Sequence, residues 1–289
     1  MRILFTIAHF FNPDSKDGKH GSQRKDPRPR LLALTRNLAA LHQLFGKSQS
    51  IINIDQRVAL SANQPQVYDL DVIICTTKNN HLLNQLSLPS HFYQHHYTQA
   101  EPLMLGFECQ SVLRDNLGKY DYYCFLEDDL ILHDPWLFIK LNWFTQGASD
   151  LSLLQPNRYE VSTTNLSCKA YIDGDLAPKL TATFQNVNEK SKFYGTIMGM
   201  PITFRRTLNP HAGCYFLNAN QMACWAKKPY FLDRDTNFIS PLESAATLGI
   251  MRTFRVYKPA PEHASFLEIQ HFGTGFVRLI GQEVGLAAS

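Results

Sequence analysis

The chain has 289 residues, 44% hydrophobic and 18% charged, which supports a large folded core and argues against intrinsic disorder. Its net charge of +3 is too small to signal a nucleic-acid binder, and no stretch approaches the roughly 20 apolar residues that a bilayer-spanning helix requires. The six cysteines form no Cys-x-x-Cys pair, against a zinc ribbon or thioredoxin-like motif; Cys75 and Cys124 lie in apolar runs and read as reduced, buried thiols of a cytoplasmic protein.

Residues 2–8 predict a buried first strand rather than a signal peptide, because His9 interrupts the apolar run and Asn12-Pro13-Asp14 follows without a cleavage site. Residues 12–29 read as a polar loop carrying Lys16, Lys19, Arg24, Lys25, Arg28 and, just beyond, Arg30. Leu31, Leu34, Leu38, Leu41 and Phe45 recur at helical steps, and Gly46 ends that helix. Strands are expected at 51–54 and 70–75, and a helix from Glu101 to Gly118 with Pro102 in its first turn. Asp134-Pro135 predicts the N-cap and first residue of a helix ending at Gly147. The alternation of strand and helix implies an α/β layer with a mainly parallel sheet flanked by helices, whose ligand site lies at the carboxyl ends of its strands. Residues 157–210 show little periodicity. Beyond them a strand after His211, helices at 220–227 and 240–250, a strand at 253–257 and a loop at 270–275 are expected.

The most informative stretch is Tyr120-Asp-Tyr-Tyr-Cys-Phe-Leu-Glu127-Asp128-Asp129. An aromatic, apolar run of the kind that makes a buried strand ends in three consecutive carboxylates. Such acids repel one another unless a cation sits among them, and hard divalent ions prefer oxygen ligands. A solvated acidic turn is the alternative. The pattern resembles the Asp-x-Asp element of GT-A fold glycosyltransferases, across residues 1–150 and again in scattered features at 211–275.

That resemblance implies a single Rossmann-like domain over 1–289, with 1–150 as the nucleotide-sugar half and 151–289 as the acceptor half. It implies Mn²⁺ or Mg²⁺ on the diphosphate of a UDP- or GDP-sugar, and a glycan or lipid acceptor. Peripheral association with a membrane is compatible with such an acceptor. Asp129 would be the direct metal ligand, Glu127 or Asp128 would face the ribose or the metal's waters, and His271 would be a second ligand. Glu127 stands where the family more often has Asp. Glu243 would be the catalytic base, with Asp233 and Asp235 as rivals; yet Ser240-Pro241-Leu242-Glu243 also has capping-box spacing. Arg28 and Arg30 are candidates for the donor phosphates. Tyr194, Tyr215 and Trp225 are candidates for stacking on a sugar, against a packing role. His91, His95 and His96 lack an acidic partner at zinc-site spacing. A metal-dependent nucleotidyltransferase or phosphohydrolase, and a catalytically degenerate binding module, are the competing readings. Neither a Gly-x-x-x-x-Gly-Lys-Ser/Thr loop nor a Gly-x-Gly-x-x-Gly fingerprint is present.

Overall fold

A computed structural model describes residues 1–14, 21–64 and 68–286; Lys16 and Lys19 of the basic loop lie outside the described residues. The strands in chain order are β1 (Arg2–Ala8), β2 (Ser50–Asn53), β3 (Val58–Ser61), β4 (Asp69–Thr77), β5 (Gln94–Thr98), β6 (Tyr122–Glu127), β7 (Leu130–Ile131), β8 (Ser152–Leu154), β9 (Asn157–Val161), β10 (Lys169–Tyr171), β11 (Lys192–Ile197), β12 (Met200–Arg206), β13 (Cys214–Asn218), β14 (Arg255–Pro259) and β15 (Glu268–His271). The helices are α1 (Arg28–Phe45), α2 (Leu105–Asp115), α3 (Leu137–Ala148), α4 (Ala219–Ala226) and α5 (Pro241–Thr253). Two compact units result, Met1–Asp129 with Phe216–Arg234, and Leu130–Tyr215 with Asp235–Ser289. The chain therefore passes between units at 129/130, 215/216 and 234/235 rather than once near 150.

The first unit is built on a sheet of order β13-β6-β1-β4-β5. β1 runs parallel to both β4 and β6, and β4 runs parallel to β5. The chain steps outward from β1 through β4 to β5, then returns across β1 to β6. That reversal makes the gap between β1 and β6 a topological switch point, the crevice where doubly wound α/β sheets hold their ligands. The α/β class expected from the strand–helix alternation is thus the one observed. Buried Leu34, Leu38, Leu41 and Phe45 form the inner stripe of α1, and Phe5 stacks on Phe45 at 6.4 Å. Gly46 stops α1 by close approach rather than by a left-handed turn: its φ is −74°, and an added Cβ would stand 2.5 Å from the His42 carbonyl oxygen.

The second unit holds two four-stranded sheets, β10-β9-β15-β7 and β11-β12-β14-β8. Four of their strands, β9 to β12, fall in the aperiodic stretch 157–210. Phe144 of α3 packs edge-on against Phe193 and Phe204 at 5.2 and 5.1 Å. Two boundaries differ from expectation. Asp134 accepts from the Trp136 N–H at 2.8 Å and pairs with Lys140 at 2.6 Å, so it ties the turn before α3 and the helix starts at Leu137. His271, expected in a loop, ends β15 and pairs in register with Leu130.

Candidate functional site

Parallel pairing explains how the switch point is furnished. Ala8 and Glu127 are register partners across β1 and β6, so the next residues, His9 and Asp128, leave the sheet side by side. Both are fully buried, and the His9 Nδ1 lies 2.5 Å from Asp128 Oδ2. The Leu82 N–H donates to His9 Nε2 at 3.0 Å. Nε2 is therefore an acceptor, and the proton sits on Nδ1, donated to the carboxylate. On its other side Asp128 pairs with the Arg30 guanidinium, which also donates to Asp129 Oδ2 at 2.8 Å. Burial works against the charge on Arg30, but Asp128, Asp129 and Glu127 outweigh it and raise its pKa.

The three acids thus divide by position. Asp128 points inward and is committed to His9 and Arg30. Glu127 and Asp129, one residue to either side, keep partial access to solvent. The Asn37 amide donates to the Glu127 carbonyl at 3.2 Å and fixes the end of β6 against α1. Arg30, expected as a phosphate ligand, is the resident counter-ion of the acidic turn. Arg28 is exposed and held by Asp26 at 2.8 Å. His9, which sequence reading used only as a break in an apolar run, is the member of this cluster that it missed. A polar residue directly after a buried strand was the available signal.

The remaining candidates have other surroundings. Asp233 is exposed in the first unit. In the second unit, Asp235 accepts from the Asn237 N–H at 2.9 Å and faces Arg252 at 3.5 Å. Glu243 accepts a hydrogen bond from the Ser240 hydroxyl, whose oxygen in turn accepts from the Leu242 N–H at 3.2 Å; the cap is present, with Glu243 on the hydroxyl rather than on the backbone. His271 Nδ1 donates to Glu160 Oε1 at 2.9 Å. Glu160 is fully buried and also accepts from the N–H groups of Phe276 and Val277, both at 2.8 Å. Burial pushes that carboxyl up, yet these three donors hold it below the usual range. Tyr215 and Trp225 are buried and serve packing, whereas Tyr194 is exposed. Among the described residues, no group of three or more His, Cys, Asp or Glu side chains could hold a metal unaided, and no helix is long and apolar enough to cross a membrane.

No protein-family model and no curated protein matches the chain. Similar solved structures include S. aureus TarS, at 8% identity and a TM-score of 0.46 over 95% of this chain and 37% of that one. S. aureus TarS 1–349 in complex with UDP gives 9% and 0.43 over 93% and 60%. HddC from Yersinia pseudotuberculosis gives 12% and 0.41 over 89% and 90%. The chain spans less than two thirds of the TarS structures it resembles. At these scores, function must be read from the site itself.

Proposed function

We propose that the chain is a nucleotide-sugar-dependent glycosyltransferase whose donor binds at the switch point of the first unit. The observation that carries this reading is the meeting of His9, Asp128, Arg30 and Asp129 where β1 and β6 end. A crevice of that topology accepts a nucleotide. Its acidic turn is not a random surface cluster, because a buried imidazole and a partly buried guanidinium pair with its carboxylates.

The donor set fits Mn²⁺ or Mg²⁺ in a particular way. The turn offers three carboxylates, of which Asp128 and Asp129 share the Arg30 guanidinium and Asp128 also accepts from His9. The partly open pair, Glu127 and Asp129, are the residues that would hold the ion. Ions of this type commonly use one or two carboxylates and complete their shell with water and substrate phosphate. When bound, such an ion neutralises charge on the departing diphosphate. Arg30 keeps Asp129 oriented, and His9 keeps Asp128 from turning outward.

The test is a thermal-shift panel of UDP-, GDP- and CMP-sugars with and without Mn²⁺, followed by product analysis. A donor should stabilise the native state by mass action, about 2.7 kcal/mol at a hundredfold excess over Kd. Mn²⁺ alone should do little, because the protein supplies an incomplete shell, and the pair should exceed the sum. Pyrophosphate released when a nucleoside triphosphate and a sugar phosphate are supplied instead would mean nucleotidyl transfer, and binding without turnover would mean a degenerate module. If no donor shifts the melting temperature, or if Glu127→Gln/Asp129→Asn binds donor as well as the parent, the reading fails.

A further inference from the structure

We infer that the hairpin of β11 and β12 is a membrane-docking element that seats its tip in the surface of an anionic phospholipid bilayer. From Phe193 to Phe204 the sequence reads Phe-Tyr-Gly-Thr-Ile-Met-Gly-Met-Pro-Ile-Thr-Phe, twelve residues without a charge or a histidine. Basic residues bound this run, Lys190 and Lys192 before it and Arg205 and Arg206 after it. The inference concerns the second unit and is independent of the donor reading.

The two faces of the hairpin differ. Phe193 and Phe204 pack onto Phe144, and at Gly195 an added Cβ would stand 2.5 Å from the Trp143 ring. Lys192, Tyr194 and Thr196 alternate with these inner positions and are exposed. β12 pairs with β14 only from Phe204 to Arg206, so the stretch from Thr196 to Pro201 runs past the end of β14 and pairs only within the hairpin. Tyr194 is 68% exposed, Met200 67% and Met198 85%. The turn itself is Met198-Gly199, with φ of +48° and +80°. A two-residue hairpin turn with both φ values positive favours Asn, Asp or Gly at its first position. An apolar side chain held there against the backbone's preference, beside other exposed apolar residues, points to an apolar partner.

Charge and dimensions select a lipid surface. Lys192 and Arg205 are register partners, and like charges directly opposite one another are unfavourable. Asp175 meets Arg205 at 3.0 Å, and Glu189, next to Lys190 in sequence, faces Arg255 at 3.5 Å. Anionic headgroups ahead of the exposed Lys192 add the counter-charge. A strand rise of about 3.3 Å per residue puts Tyr194 about 13 Å and Lys192 about 20 Å behind Met198. With the tip about 10 Å into the boundary of headgroups and acyl chains, the Tyr194 ring lies at the interface, where aromatic belts form. Lys192 then stays within about one Debye length of the charged surface. Deeper entry is opposed, because the outer backbone groups of the edge strand β11 need water. A second copy of the chain fits less well: the six residues from Thr196 to Pro201 fall short of the roughly 20–30 per side of a stable protein interface. The hairpin of β2 and β3 also exposes Ile51, Ile52 and Ile54, but Asp55 and Arg57 sit at its tip, where a carboxylate is repelled by an anionic surface.

Flotation of the full chain with vesicles of phosphatidylcholine, with and without phosphatidylserine, tests the inference. The protein should float with the phosphatidylserine vesicles, less at high salt. Met198→Asn/Met200→Thr should lower vesicle affinity about tenfold or more, with a melting temperature at or above the parent's because Asn suits the turn. Lys190→Gln/Lys192→Gln should lower affinity for phosphatidylserine vesicles about tenfold. Ile52→Thr/Ile54→Thr should leave binding unchanged. Failure to float, undiminished binding by Met198→Asn/Met200→Thr, or loss of binding in Ile52→Thr/Ile54→Thr instead would overturn the inference. So would a lipid-free dimer in sedimentation velocity that Met198→Asn/Met200→Thr disperses, since the tip would then belong to a second copy.

Discussion

At the scale of single residues, the switch point turns on how differently three adjacent acids are used. Asp128 is fully buried between an imidazole and a guanidinium. Removing its charge leaves Arg30 with an uncompensated positive charge, and breaking a buried pair in this way costs about 3–5 kcal/mol. Asp129 is partly open and shares the same arginine, which Asp128 still neutralises when Asp129 is lost. Asp128→Asn should therefore lower the urea midpoint sharply, whereas Asp129→Asn should barely move it and should instead abolish Mn²⁺-assisted donor binding. Equal destabilisation by the two substitutions would show that the acids are interchangeable structural partners. The acidic run itself was legible in the sequence because three like charges after an apolar run are conspicuous. Which acid faces inward was not, because that depends on register with β1, and register joins residues more than a hundred positions apart. Arg30 stood out in the sequence as a basic residue at the start of a helix, but its pairing with Asp128 and Asp129 did not, for the same reason.

Individual elements carry two further predictions. Glu160 of β9 collects donors from His271, Phe276 and Val277 and so fastens the segment that follows β15. Its carboxyl is held below the usual range, so the unfolded chain takes up the proton first as pH falls. The stabilisation is fully present above the ordinary glutamate pKa of about 4.3 and is lost as pH drops through the lower folded value. Glu160→Gln should therefore flatten the acid limb of stability against pH, measured by urea midpoints below about pH 5. Asp173, buried between Arg158 and Lys258 and likewise held below its usual range by those two cations despite burial, supplies the slope that remains. Identical acid limbs in parent and variant would remove the role given to Glu160. Ser240 caps α5 as its spacing suggested, bonding the Leu242 N–H, while Glu243 takes the Ser240 hydroxyl rather than the backbone of a capping box. Gln can still accept that bond, so Glu243→Gln should cost about 1 kcal/mol or less, with turnover nearly intact. A loss of roughly 10²–10⁴-fold in turnover without a change in melting temperature would make Glu243 the base. Local signals such as caps and helical stripes are legible because they act within one or two turns. The short strands of 157–210 were not, since their pairing partners lie far along the chain.

Across the whole molecule, the chain order of the two units is the feature that sequence reading could not supply. A boundary near residue 150 looks natural because the strand–helix alternation ends there. The first unit nevertheless recruits Phe216–Arg234, which contributes the end of β13 outside β6 and the helix α4. Nothing in the local pattern of those residues says which sheet they join. The consequence is energetic. Phe216, Leu217, Met222 and Trp225 are all buried, Phe216 lies edge-on to Phe5 at 6.3 Å, and Trp225 lies edge-on to Phe231 at 4.8 Å. Burying each such side chain contributes about 1.5–3 kcal/mol, so the four together are comparable to the entire stability of a domain, about 5–15 kcal/mol. A fragment of residues 1–150 also leaves the hydrogen-bonding edge of β6 open, and an unpaired apolar edge invites association. That fragment should show no cooperative thermal transition by circular dichroism and should aggregate, whereas the full chain melts cooperatively. A soluble 1–150 fragment with a sharp transition would mean that the acidic turn and its His9–Arg30 cradle belong to a self-sufficient folding unit, and that β13 and α4 are dispensable to it.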